Sequence, residues 1–289
     1  MNSLETIESQ SNSIKNFSHI RKAIIGQPIA ITESGLDLIL GIVEAHERGL
    51  VPPDMKSDDP EDAEEQGSPH LQMVGNVAVI SVMGPIMPRA QWFHNLSNIS
   101  SSTGVMTAID EAKAQKPSAY VFLFDSPGGS VSLGFECANK IFSLRGGKAP
   151  VVSVVQGTCC SLAYLFASQA ETIFCGVDSM VGSISVVMRS MTNDRMMRNA
   201  GIDFFTMKSG DLKQMDDPSF LATSKQYESL LAQLGTWHDL FKSSVRRGRP
   251  MMDIEKVSTG EIWIGQKAVA AGLADEVSTL DDVLNSLGA

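Results

Sequence analysis

A serine and a lysine in this sequence are placed to do nucleophilic chemistry together. Ser161 ends the stretch Gly157-Thr158-Cys159-Cys160-Ser161, between an apolar β-type run and a predicted helix, and Lys213 ends Ser209-Gly210-Asp211-Leu212-Lys213 in a predicted loop. A hydroxyl at a sharp strand-to-helix turn is well presented for attack, and the helix N-terminus favours negative charge there. The same position also suits a serine that only caps the helix. A lysine acts as a general base when burial or neighbours lower its pKa; otherwise it is a solvated loop side chain. Lys208 competes for the role. Upstream, the glycines of Asp125-Ser126-Pro127-Gly128-Gly129 let the backbone turn its N–H groups toward a reacting carbonyl oxygen, as an oxyanion hole requires, although an ordinary strand-to-helix turn uses them too. Together the three segments point to a serine hydrolase with lysine in place of histidine.

The histidines offer no better base. His238 falls on the apolar face of a long helix with Tyr227, Leu230, Leu231, Leu234, Phe241 and Val245, which predicts a packed residue. His19, His46 and His70 lie in the N-terminal arm or linker, leaving His94 as the one histidine beside core strands. Neither G-x-G-x-x-G nor a Walker pattern is present, so phosphate binding at the glycines is disfavoured.

The elements that must position these residues can be read from the hydrophobic pattern. Residues up to about 25 are polar, Ile31 to Gly49 is predicted helical, and Lys56 to Glu65 is an acidic, proline-bearing linker. The expected division is an arm, helix and linker over 1–70 and a main domain over 71–289. In the latter, strands are predicted at Val77–Val82, Tyr120–Phe124, Val151–Val155, Thr172–Phe174, Ile184–Met188 and Phe204–Met207. Helices are predicted at Val105–Ala114, after Gly129 through Phe142, at Ser161–Gln169 and at Ser219–Arg246. Strands alternating with helices give an α/β fold with a largely parallel sheet.

The 289 residues suffice for one large domain with an appendage. A net charge of -10 argues against a nucleic-acid surface, and the basic run Arg246-Arg247-Gly248-Arg249 ends a helix, where cations complement the dipole. Cys137, Cys159, Cys160 and Cys175 show neither disulfide-scaffold nor zinc spacing. With no secretory pattern and no run long enough to span a bilayer, the chain reads as cytoplasmic.

In this order the segments resemble peptidase family S49, the signal peptide peptidase A and phage capsid-protease family. The resemblance runs from Val74 to Leu287 and rests on five blocks: Asp125 to Gly129, the serine block at Ser161, Val181-Gly182-Ser183-Ile184, Ser209 to Lys213, and Gly260 to Ala268 continued by Gly272-Leu273-Ala274-Asp275. It implies Ser161 as nucleophile, Lys213 as general base, Ser183 as the residue orienting the lysine, and Gly128, with Gly129 beside it, as the oxyanion donor. Leu162 N–H, next after the nucleophile, is a second donor by general geometry. The implied fold is the crotonase-like β-β-α spiral shared with the Clp protease. No metal or organic cofactor is implied.

The resemblance also implies a ring-shaped homo-oligomer in which serine and lysine come from neighbouring protomers. A helix at Pro28-Ile29-Ala30-Ile31-Thr32 and the lack of an apparent anchor place the chain nearer the phage capsid proteases, which cleave scaffold and head proteins in the host cytoplasm or procapsid. The alternatives are degradation of signal-peptide remnants, a non-catalytic assembly protein on the same fold, and acyl-CoA chemistry. Leu162-Ala163 stands where the family has small residues, so Leu162 is expected to narrow the substrate cleft or weaken catalysis. Ser185 replaces a usual glycine.

Overall fold

The computed structural model describes residues 25–47, 68–89, 99–189, 194–202, 205, 207–210, 212–213 and 224–289. Its centre is a set of parallel strands with apolar side chains on both faces. β3 (Val77–Met83), β6 (Ala119–Ser126) and β8 (Val151–Cys160) pair side by side in parallel. The antiparallel β2 (Leu71–Val74) lies outside β3. β9 (Thr172–Cys175) and β10 (Met180–Gly182) both pair in parallel with β8, one along its first half and the other along its last residues. The antiparallel β11 (Ile262–Ile264) borders β10, and β12 (Glu276–Val277) borders β9, completing an eight-stranded sheet.

Period-two alternation divides these strands between two cores. Ala78, Ile80, Val82, Phe122 and Phe124 face the main core, whereas Val77, Val79, Val121 and Leu123 face the other side. The main core is covered by α2 (Ser102–Gln115), α3 (Gly134–Phe142), α4 (Leu162–Ala167) and α6 (Ser224–Gly248). Ser101 caps α2, its hydroxyl accepting the Gly104 N–H at 2.9 Å. On the opposite face, Val283 of α9 (Leu280–Ser286) closes the smaller core.

The closing block, Gly272 to Asp275, anchors the C-terminal part to the sheet. Arg249 donates to both Asp275 oxygens, at 2.7 and 2.8 Å, and Asp275 also accepts the Ile173 N–H at 2.7 Å. The buried Tyr164 hydroxyl of α4 donates to Leu273 O at 3.0 Å. The remaining short elements are α5 (Asp194–Asn199), α7 (Ile254–Val257) and α8 (Gln266–Ala270).

A second, four-stranded sheet has the order β1 (Ile29–Ile31), β7 (Gly128–Ser130), β4 (Ile86–Met87), β5 (Ser100–Ser101). Here the structure corrects the expected helix at Pro28–Thr32: Ile29 to Ile31 form a strand antiparallel to β7, and α1 (Glu33–Glu47) begins only afterwards. Thr32 starts that helix, its hydroxyl accepting the Gly35 N–H at 3.2 Å. β-Branched residues alternating with alanine suit an extended chain once a partner strand is present. A second correction lies after β10. Residues 183–186 form no strand; Gly182 and Ser183, both with positive φ, turn the chain there, and Val187 makes an isolated bridge to Ile29. The acidic linker, His94 and residues 219–223 of the expected long helix lie outside the described residues, as do Phe204 and Thr206 of the expected strand there.

Candidate active site

The site is built where β6, β8 and β10 end together. β6 and β8 run in register to Phe124 opposite Val155, and the next pair is Ser126 opposite Cys159. Three residues of β8, Gln156 to Thr158, therefore bulge opposite Asp125 alone. The Asp125 carboxylate fills this bulge, accepting the Thr158 N–H at 2.9 Å. Gly157 adopts φ +110, and a Cβ there would lie 2.6 Å from Asp125 Oδ1. Ser179 holds the other side, donating to Val155 O at 2.9 Å and accepting the Gly176 N–H at 3.0 Å. A bulge bends its strand and re-aims the residues beyond it. Ser161 stands just beyond this one.

Ser161 is the sharp turn between β8 and α4, with φ 56 and ψ −119, a conformation that a non-glycine residue holds only when its surroundings enforce it. Its N–H donates to Gly182 O at 2.7 Å, which fixes the turn to the end of β10. Although Ser161 occupies the N-cap position of α4, its hydroxyl makes no capping bond. The hydroxyl donates instead to Ser185 O at 3.3 Å. The residue is 1% exposed.

The two glycines after β6 separate into different roles. Thr32 N–H donates to Pro127 O at 3.0 Å, and hydrogen-bonded pairs alternate along an antiparallel ladder, so Ala30–Gly129 is the next such pair. The Gly129 N–H thus belongs to the sheet. The Gly128 N–H points away from that ladder and donates to Ser126 Oγ at 3.2 Å. A Cβ on Gly128, at φ +100, would lie 2.9 Å from Cys160 O and 3.0 Å from the Leu162 nitrogen. Gly128 therefore abuts the Ser161 turn, and only glycine fits. Leu162 N–H is the first of α4, where helix geometry supplies no internal acceptor.

Leu162 does not line a cleft, contrary to expectation. Its side chain is fully buried in the main core and packs directly on Gly134, where a Cβ would come within 2.6 Å of Leu162 Cδ1. Ser183 comes directly after Gly182, with φ 52 and its N–H donating to Glu261 O at 2.6 Å, so the turn carrying it abuts that of Ser161. Lys213 is exposed, its N–H donating to Gly210 O at 3.0 Å; among the described residues no hydrogen bond joins it to Ser161.

Cys159 and Cys160 precede Ser161 as buried apolar packing. Desolvation raises both thiols, Cys160 to about 12, which suppresses the thiolate. His238 is half-buried on α6, with Nε2 making no hydrogen bond among the described residues, and His70 binds Ser81 O through Nδ1 at 2.9 Å. The residues missed in the sequence are Asp125, as holder of the bulge, and Ser185, whose carbonyl receives the hydroxyl. A carboxylate directly before the glycine turn was the available signal for Asp125; a backbone acceptor has none.

The family model for peptidase family S49 matches residues 144–289, just over half of the sequence and including the Ser161 turn, Ser183 and Lys213. The chain belongs to peptidase family S49. Among the similar proteins, a probable protease SohB of Haemophilus influenzae is 33% identical over 161 residues, 55% of this chain and 45% of that protein. The head-tail preconnector protein GP5 of Enterobacteria phage P21 is 28% identical over 217 residues, 74% of this chain and 43% of that one. The capsid assembly protease C of Escherichia phage lambda is 25% identical over 215 residues, 74% and 49% respectively. The chain thus spans about half the length of these relatives or less. Among the described residues no helix is long and apolar enough to cross a membrane.

Proposed function

We propose that this chain is a serine endopeptidase with Ser161 as nucleophile and Lys213 as general base. The observation that carries the reading is the Ser161 turn itself: a strained serine whose hydroxyl does not cap its helix, beside the N–H groups of Gly128 and Leu162. The neutral lysine amine takes the Ser161 proton as Oγ bonds to the scissile carbonyl carbon. Gly128 and Leu162 N–H stabilise the resulting oxyanion. Collapse breaks the C–N bond, the lysine ammonium protonates the leaving amine, and an acyl-serine remains. Water, deprotonated by the same lysine, then releases the acid and restores the serine. Ser183 orients the lysine amine.

For this chemistry the Lys213 amine must reach Ser161, and its exposed position in one protomer fits a base donated to a neighbour. We therefore place the dyad across protomers of a homo-oligomeric ring. Exposed Tyr227, Leu231 and Leu240 on α6, and Ile262 and Ile264 on edge strand β11, suit contacts between copies. The fold reading is the crotonase-like β-β-α spiral, with the peptidase domain over 71–289.

The substrates we propose are scaffold and head proteins of a phage or prophage capsid. The two phage proteins align with 74% of the chain, against 55% for the Haemophilus SohB, so the phage likeness extends over more of it. Co-expression with the scaffold and head proteins encoded beside the gene tests this. Cleavage should disappear in Ser161→Ala and in Lys213→Ala while the proteins still assemble. Unchanged processing in both variants defeats the proposal.

A further inference from the structure

The strand that replaces the expected N-terminal helix lies against both halves of the site. On one edge β1 runs antiparallel to β7, with Ile31 opposite Gly128 and Ala30 opposite Gly129. On the other edge Ile29 and Val187 exchange both backbone hydrogen bonds, at 2.9 and 2.8 Å, and Gly26 N–H donates to Arg189 O at 3.0 Å. These two borders carry the chemistry. β7 begins with Gly128, and the segment leading to Val187 holds Ser183 and the Ser185 carbonyl that receives the Ser161 hydroxyl. The point where a Gly128 Cβ would stand is 2.2 Å from Ala30 O and 3.0 Å from the Leu162 nitrogen, so the Ala30 carbonyl lies beside the Ser161–Leu162 turn.

An extended chain paired on both edges beside a nucleophile is held as a peptide ligand is held. Backbone bonds supply affinity, and alternating side chains supply selectivity. We infer that β1 is a tethered occupant of the substrate groove: Pro28 to Thr32 fills the place of an extended peptide, and a substrate enters by displacing it. The groove itself rests on the geometry; that its occupant blocks hydrolysis rests on the peptidase reading above. The pattern of β1 describes the substrate class. Ile29 and Ile31 pack with Leu36, Ile39, Met87 and Ile99, while Ala30 turns to the main core. The groove therefore favours a small residue flanked by apolar, β-branched ones.

A tethered strand lowers the apparent affinity for a free peptide by the fraction of time the groove stands open. The probe is a fluorescent octapeptide with the sequence of Gln27 to Ser34, bound to the full chain and to Ile29→Pro, which lacks the N–H given to Val187. Anisotropy should show binding at least about tenfold tighter to the variant. Equal affinity, or no binding to either, overturns the inference. Should Ile29→Pro fail to fold, hydrogen exchange on the unaltered chain decides. Saturating peptide should speed exchange at Ile29 and Thr32 at least about tenfold, and unchanged protection overturns the inference. Fluorophosphonate labelling of Ser161 is read in parallel: no adduct in either chain counts against the peptidase reading, while the binding comparison still decides the groove.

Discussion

At the scale of single residues, the site depends on one position where the backbone has neither room nor freedom. Gly128 combines φ +100 with a place where an added Cβ would run into Ala30 O, Cys160 O and Leu162 N, so Gly128→Ala should cost about 1–3 kcal/mol. It should also reduce kcat by about 100-fold or more, because the clash displaces the proposed Gly128 donor and pushes on the turn that carries Leu162 N–H; denaturant titration and steady-state kinetics measure the two effects. Leu162 behaves differently. Its side chain is core, so Leu162→Ala should lose about 2–5 kcal/mol while the N–H donor stays in place. Thermal melts should show the loss, and adding Gly134→Ala should recover part of it by refilling the space. The four cysteines are buried and their thiols raised by desolvation. A thiol-reactive chromophore at pH 8 should therefore titrate less than about one thiol per native chain, and all of them once it is unfolded.

At the scale of elements, the bulge in β8 decides where Ser161 stands. Asp125→Ala removes the acceptor of the Thr158 N–H and should lower kcat by about tenfold, with a loss of about 1–2 kcal/mol in stability. Asp125→Asn keeps an acceptor oxygen and should retain most activity; kinetics on the pair separate positioning from charge. Much of this level is legible in the sequence. Apolar runs mark the buried parallel strands β3, β6 and β8, and the glycines and serine mark the turns at their ends. The departures share one physical cause. Pro28 to Thr32 is too short for its pattern to distinguish helix from strand, and what makes it a strand is pairing with β7 and Val187, distant in sequence. Likewise Ile184 to Met188 has strand composition, but Gly182 and Ser183 turn the chain and its pairing shrinks to the single bridge of Val187 to Ile29. The bulge is hidden because it is a mismatch between two strands and belongs to neither alone. Of the site, Gly128, Ser161 and Leu162 are legible as a group and are adjacent in space. The inward turn of the Leu162 side chain is not legible, because composition does not reveal which way a side chain points.

At the scale of the whole molecule, three of the five blocks scattered along the chain, those of Gly128, Ser161 and Ser183, meet at the ends of three parallel strands, and the closing block braces the C-terminal part. Arg249→Met should cost about 2 kcal/mol by removing its bonds to Asp275, visible as a lower denaturation midpoint. Lys213 is exposed, which is why the proposed dyad is drawn between copies of the chain. Mixing Ser161→Ala chains with Lys213→Ala chains should then restore activity that neither has alone; no recovery would locate both groups in one protomer. The central claim remains the pairing of Ser161 with Lys213, and mass spectrometry after fluorophosphonate treatment tests it most directly. A single adduct on Ser161 is expected, absent in Ser161→Ala and formed at least about 100-fold more slowly in Lys213→Ala. An adduct that persists in Ser161→Ala, or forms as fast without Lys213, would contradict it.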